Sequence, residues 1–195
     1  KVVITANGGK TAEVTVKVNE SKVTVATPEP TSLGAANCSD AFWSVFTDDI
    51  KVPAGATREF NFTNYTSGVS NWNNYVVILR DAAKTTPEYG VVRADNYGWG
   101  NGYAACTSKG TQLESYADWA GWLAAMNGAK VKLYVTNCNN GTADIQAIVT
   151  GNDGTKTYQS YLGINTINPN DLYVSFTVDG SHLVFGSAAK ARRHK

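Results

Sequence analysis

Two segments of this chain combine aromatic side chains with amides, a combination suited to a ligand rich in hydroxyl groups. The first, VVRADNYGWGNG at 91–102, begins as a β-branched strand and continues into a glycine-rich loop that contains Asn96, Tyr97 and Trp99. The second, SNWNNY at 70–75, places Trp72 among three asparagines. Aromatic faces pack against the C–H faces of sugar rings, and amides exchange directional hydrogen bonds with hydroxyls. The two segments together predict a binding site for a neutral polar ligand.

A structural role for the same aromatic residues is the alternative. An indole exposed to water gains nothing by itself, so Tyr97 and Trp99 either pack back onto the domain's own core or wait for a ligand. Asparagine is also common in turns for purely local reasons. The residues of these loops leave both interpretations open.

Catalysis of glycoside hydrolysis would need two carboxylates facing each other across a cleft. Between residues 36 and 186 the chain has only the glutamates Glu59, Glu88 and Glu114, which are far apart in sequence. Asp95 could act as an acid, although a strand-end Arg-x-Asp pair more often forms a structural salt bridge. The histidines, His182 and His194, accompany no nucleophile elbow. We therefore expect a protein without catalytic activity.

Metal binding also has little support in the sequence. Cys38, Cys106 and Cys138 form no CxxC pair and have no histidine nearby, which disfavours zinc. One disulfide with a leftover thiol, or three reduced cysteines, are both compatible with this number. No cofactor is expected, but a structural calcium ion held by loop oxygens such as those of Asp48 and Asp49 is an option.

The charge is unevenly distributed along the chain. The formal net charge is +1, but the last six residues, KARRHK, contain four of the 17 basic residues and no acidic one. The rest of the chain has 13 basic and 16 acidic residues, a net charge of −3. It therefore lacks the excess of positive charge that is typical of a nucleic-acid-binding protein. The tail at 187–195 suggests a linker or vector remnant, or else an anion-binding arm. A near-neutral body disfavours a polyanionic glycan, which would require a basic cleft.

Strands dominate the elements that must position these residues. The segment TAEVTVKV at 11–18 alternates apolar and polar residues, and NGG at 7–9 predicts a turn that pairs it with 2–4. Further strands are predicted at 58–63, 74–79, 89–94, 131–136, 143–150, 155–162, 172–178 and 182–185. Hairpin turns are predicted at 151–154 and at Asp179-Gly180.

One helix is predicted at 115–126, SYADWAGWLAAM, with Asn127-Gly128 as its end. At least one of its tryptophans, Trp119 and Trp122, should belong to the core. Many short strands with polar turns and one short helix predict an all-β fold, a jelly-roll β-sandwich. No apolar run is long enough to span a bilayer, so no membrane insertion is expected.

Two regions of the chain resemble known families. The segment ITANGGKTAEVTVKV resembles the closing hairpin of bacterial Ig-like spacer domains. Bacterial β-sandwich carbohydrate-binding modules are similar to four later segments: FNFTNYTSGVSNWNNYVVILRD, EYGVVRADNYGWGNGY, DWAGWLAAMNGAKVKLYVTN and LYVSFTVDGSHLVFG. The resemblance implies four parts: a partial Ig-like hairpin at 1–26, a linker at 27–35, the module at 36–186 and the basic tail at 187–195. It also implies a secreted or cell-surface protein of several domains.

Site residues follow from this resemblance by residue type and loop position. It implies that Trp72, Tyr97 and Trp99 stack on the glycan, and that Asn74, Arg93 and Asn96 form hydrogen bonds with it. The expected ligand is a plant or microbial polysaccharide, above all a β-glucan such as cellulose, mixed-linkage glucan or xyloglucan. A jelly-roll glycoside hydrolase or polysaccharide lyase is one alternative, and a structural or adhesion sandwich is another.

Overall fold

A computed structural model describes residues 2–5, 11–14, 22–41, 43–67, 73–80, 90–93, 108–113, 119–166 and 172–186. The elements in these ranges are β1 (Val2–Thr5), β2 (Thr11–Val14), β3 (Val23–Val25), β4 (Ser32–Leu33), β5 (Ile50–Lys51), β6 (Thr57–Thr66), β7 (Asn74–Arg80), β8 (Gly90–Arg93), β9 (Ser108–Leu113), α1 (Trp119–Met126), β10 (Ala129–Asn137), β11 (Thr142–Thr150), β12 (Lys156–Asn165), β13 (Tyr173–Asp179) and β14 (Ser181–Phe185).

Two sheets make up the sandwich. The larger has eight strands, in the order β4-β14-β6-β10-β11-β12-β9, with β3 parallel to the first part of β6. The smaller has the order β5-β13-β7-β8. All pairings other than that of β3 with β6 are antiparallel. The prediction of an all-β sandwich with one short helix is confirmed.

Aromatic contacts join the two sheets. The alternation that the sequence showed in β6 turns Phe60 and Phe62 inward, where both are buried. The Phe62 ring contacts Tyr75 of β7 edge-on at 5.0 Å between ring centroids, and Phe176 of β13 at 5.6 Å. Phe176 also contacts Phe60 at 5.1 Å. Edge-to-face packing at these distances adds to the gain from burying apolar area.

Strands β7 and β13 are buried on both faces. Residues 75–79 of β7 and 174–178 of β13 have little or no exposed surface, although consecutive side chains of a strand point to opposite faces. This burial explains why NYVVIL is an uninterrupted apolar run instead of an alternating one. The prediction of a central strand there is confirmed, since β7 lies between β13 and β8.

One of the two predicted hairpin turns is wrong. The turn at 151–154 does join the paired strands β11 and β12. At Asp179-Gly180, however, β13 belongs to the smaller sheet and β14 to the larger one, so this turn is a corner between the sheets. Gly180 has φ of 72°, and its N–H donates to the carbonyl of Asp40 instead of closing a hairpin. A glycine with positive φ is suited both to a hairpin turn and to a corner between two sheets, so the dipeptide Asp179-Gly180 did not distinguish these two structures.

The sandwich begins earlier than residue 36. Within the segment predicted as a linker, 27–35, β4 pairs with β14, and Leu33 is buried in the core. Upstream of it, β3 pairs with β6. The predicted hairpin pairs β1 with β2, with Val2 opposite Val14, as a separate two-stranded sheet.

The helix α1 covers the second part of the predicted segment, and 115–118 lie outside the described residues. Trp122 is only 5% exposed and belongs to the core, as expected for at least one tryptophan of this helix. Gly128 follows the helix and has φ of 90°. Helices commonly end with a residue of positive φ, a conformation that glycine adopts easily. None of the helical segments in the described ranges is long and apolar enough to cross a membrane.

Replacing Phe176 by alanine should destabilise the fold strongly. Phe176 is fully buried and contacts three other phenylalanines, so we expect a loss of about 3–5 kcal/mol in the free energy of unfolding. Phe46→Ala is the control, because this ring is 39% exposed and its loss should cost far less. Urea titration of both variants gives the comparison, and equal losses would contradict the assignment of Phe176 to the core.

Candidate functional site

The residues predicted to bind a ligand belong mainly to segments outside the described residues. This holds for Trp72, Asn96, Tyr97 and Trp99. The backbones of the other two, Asn74 and Arg93, lie in the smaller sheet. Asn74 is the first residue of β7, opposite Asp179, and Arg93 is the last residue of β8, opposite Val76. The start of β7 and the end of β8 are therefore neighbours at one end of this sheet. In the sequence, the two aromatic segments adjoin these two strand ends.

A groove lies elsewhere, on the outer face of the larger sheet. It has a volume of about 560 Å³. Strands β6, β10, β11, β12 and β14 contribute to it, so it crosses the middle of the sheet. The lining residues are Asn61, Phe62, Thr63, Lys130, Val131, Lys132, Tyr134, Ile148, Thr150, Lys156, Val184 and Gly186.

Strand register brings the groove residues together in rows. One row runs from Val184 through Thr63, Lys130 and Thr150 to Lys156. The next row runs from Asn61 through Lys132 and Ile148 to Tyr158, and a third from Glu59 through Tyr134 and Gln146 to Ser160. The register of these rows is fixed because the residues that alternate with them along each strand are buried in the core.

Two tyrosines present aromatic surface on this face. Tyr158 is 46% exposed and lies in register with Ile148, which lines the groove, and Tyr134 is half-buried within the groove. They lie two strand spacings apart across the sheet and one row apart along the strands, which corresponds to about 12 Å from standard strand dimensions. Asn61 and Gln146 accompany them with amide groups. This combination of flat rings and amides is the one that the sequence predicted for the loops.

Glu59 is held by its neighbours on the same face. The Asn61 amide donates to its carboxylate at 2.9 Å, and the Lys132 ammonium lies 3.6 Å from the same oxygen. Among the described residues that line the groove there is no Asp or Glu. Of the three glutamates considered for catalysis, Glu88 and Glu114 lie outside the described residues. The groove therefore contains no pair of carboxylates placed for hydrolysis of a glycosidic bond.

His182 and Ser32 form a contact that resembles part of a catalytic triad. The histidine Nδ1 lies 2.7 Å from the carbonyl oxygen of Gly34, so Nδ1 carries the proton and donates it. Nε2 then accepts from the Ser32 hydroxyl at 3.3 Å. A backbone carbonyl occupies the place of the carboxylate that stabilises an imidazolium in a triad. The geometry ties β4 to β14 and supports a structural role for both side chains.

The side chains considered as metal ligands differ in their surroundings. Asp49 accepts two hydrogen bonds from the Arg80 guanidinium, the shorter at 2.7 Å, and Asp48 is exposed. No cluster of three or more His, Cys, Asp or Glu side chains that could hold a metal occurs in the described part of the chain. Cys38 and Cys138 are free thiols whose pKa is raised by burial, and Cys106 lies outside the described residues.

Sequence reasoning did not identify Tyr134, Tyr158 or the lysines of the groove. A signal was present, because AKVKLYVTN in β10 alternates strictly and its outward positions carry Lys130, Lys132 and Tyr134. Alternation assigns these residues to one face, but it does not say which strands lie beside β10. The pairing of β10 with β6 and β11, which assembles the groove, is long-range information.

Comparison with known proteins adds no assignment. No protein-family model matches this chain, and no curated protein shows significant sequence similarity to it.

Nitration should distinguish the exposed Tyr158 of β12 from Tyr161, a buried tyrosine of the same strand. In the folded protein, tetranitromethane should modify Tyr158 well before Tyr161, which is fully buried on the same strand. Mass spectrometry of the digested protein measures both, and the urea-unfolded protein serves as control because both residues are then accessible. Equal rates in the folded protein would contradict the difference in exposure between these two residues.

Proposed function

We propose that this chain is a non-catalytic carbohydrate-binding module for a polysaccharide. The observation that carries the proposal is the pair Tyr134 and Tyr158 on one open sheet face, accompanied by the amides of Asn61 and Gln146. Exposed tyrosines offer a rigid apolar surface at low cost in conformational entropy, and amides give direction to hydrogen bonds with hydroxyls.

The shape of the site supports a chain-like ligand. The groove crosses several strands on the face of a sheet instead of forming a closed cavity. A long polymer can pass across an open groove, whereas most small-molecule sites bury the greater part of their ligand. The sequence-based expectation of a β-glucan belongs to this proposal, as does the role of holding an attached hydrolase or a cell at its polysaccharide. A secreted or cell-surface protein with further domains is the setting we propose.

Alanine variants should locate the bound glycan. Tyr134→Ala and Tyr158→Ala should each weaken binding roughly two- to tenfold, since aromatic contacts are worth about 0.5–1.5 kcal/mol beyond area burial. Affinity electrophoresis and calorimetry with soluble β-glucans and other polysaccharides provide the measurement. Phe46→Ala is the control, because it removes an exposed ring that does not belong to the strands of the groove.

The same experiment includes the aromatic residues predicted from sequence. If Trp72→Ala and Trp99→Ala weaken binding while the two tyrosine variants do not, the ligand is held by the loops and the groove is not the site. If no polysaccharide in a broad panel binds the unaltered protein, the proposed function is wrong.

Hydrolysis should be undetectable. Because the groove lining lacks carboxylates and Glu59 is held by Asn61 and Lys132, we expect no release of reducing sugar from any bound polysaccharide after overnight incubation at high protein concentration. Glu59→Gln tests this further. Release of sugar by the unaltered protein that is lost in this variant would make the chain an enzyme.

A further inference from the structure

We propose that the groove of the larger sheet prefers polysaccharides that carry anionic groups, carboxylate or sulfate, over neutral β-glucans. This inference rests on the proposed carbohydrate binding at the same site, and it replaces the neutral β-glucan of that proposal by an acidic polysaccharide as the class of ligand. It differs from the expectation based on net charge, which averages over the whole chain.

Three lysines are concentrated in the groove. Lys130 of β10 and Lys156 of β12 both lie in register with Thr150 of the intervening strand, two strand spacings or about 10 Å apart. Lys132 follows Lys130 on the same face of β10, about 7 Å further along the strand. All three line the groove, so a ligand in it would be within reach of three ammonium groups.

Little negative charge balances these lysines. Lys132 has Glu59 at 3.6 Å, and that carboxylate is shared with the Asn61 amide. Among the side chains that the structure describes, no carboxylate lies within ion-pair distance of Lys130 or Lys156. The groove is therefore locally positive, although the chain without its last six residues has a net charge of −3.

These lysines do not protect the edge of a sheet. Lysine is common on edge strands, where it prevents association with other sheets, and is depleted in strands generally. β10 lies between β6 and β11, and β12 lies between β11 and β9, so both are interior strands. Lysines about 7–10 Å apart on one face still repel each other, although less than a directly opposite pair would. An anionic ligand would relieve this repulsion when it binds.

A polysaccharide fits these features better than a nucleic acid does. Double-stranded DNA carries one charge per about 1.7 Å of its axis, and proteins that bind it neutralise many phosphates. Three lysines on a body of net negative charge provide far fewer contacts. An acidic polysaccharide carries about one charge or fewer per sugar, and its remaining hydroxyls suit Asn61 and Gln146.

The test compares four kinds of polymer by calorimetry at low and high salt. They are mixed-linkage glucan and xyloglucan as neutral chains, polygalacturonate as the carboxylate source, chondroitin sulfate as the sulfate source, and single-stranded DNA. We expect at least one acidic polysaccharide to bind several-fold more tightly than the neutral chains. This advantage should disappear at 1 M salt, where the Debye length falls to about 3 Å.

Lysine variants assign the effect to the groove. Lys130→Gln and Lys156→Gln should each weaken binding of the acidic polymer roughly two- to fivefold, the range for exposed ion pairs, and the double variant more. Binding of neutral chains should hardly change. Lys51→Gln is the matched control, because Lys51 is an exposed lysine of β5 in the other sheet, beside Tyr173. Melting temperatures confirm that each variant is folded.

The outcomes separate this inference from the proposed function. Binding of neutral chains that equals or exceeds that of the acidic ones, unchanged in the lysine variants, overturns the anionic preference but leaves carbohydrate binding intact. Absence of binding to every polysaccharide refutes both. Tighter binding of single-stranded DNA than of any polysaccharide assigns the groove to nucleic acid and also overturns the inference.

Discussion

The packing of the two sheets through buried aromatic rings is the interaction on which the rest of the structure depends. Phe62 of the larger sheet contacts Tyr75 and Phe176 of the smaller one, and these contacts determine which face of β6 is turned inward. Because side chains alternate along a strand, every neighbour of an inward residue is placed on the outer face. The outer face of β6, β10, β11 and β12 is the surface that carries the groove.

The candidate site is thereby coupled to the core. A slip of one residue in β10 would bury Lys130, Lys132 and Tyr134 and expose Val131, Leu133 and Val135, at a high cost in burial of charge and loss of apolar contacts. The apolar residues therefore hold the groove residues in register. Side chains mounted on paired strands lose less conformational entropy when a ligand binds than side chains on a mobile loop do.

Sequence patterns predicted the local features of the fold well and its long-range features poorly. The strands that contain Phe60 and Tyr75 follow from period-two spacing and apolar runs, and the helix that contains Trp122 follows from helical spacing. The corner at Asp179-Gly180 and the incorporation of β4 into the larger sheet depend on which strands become neighbours. Local sequence does not contain that information. The corner at Asp179-Gly180 was therefore predicted to be a hairpin, and β4 was predicted to be part of a linker.

The same limit explains which candidate residues the sequence could identify. Trp72 and Trp99 are conspicuous because each is surrounded by polar residues in a short segment. Tyr158 and Lys130 are far apart in the chain and come together only through the pairing of β11 with both β10 and β12. A net charge is likewise a sum over the chain, whereas a ligand meets only the charges within about a Debye length of its site, roughly 8 Å at physiological salt. Three lysines on one sheet face can therefore govern the choice of ligand in a chain whose total charge is close to neutral.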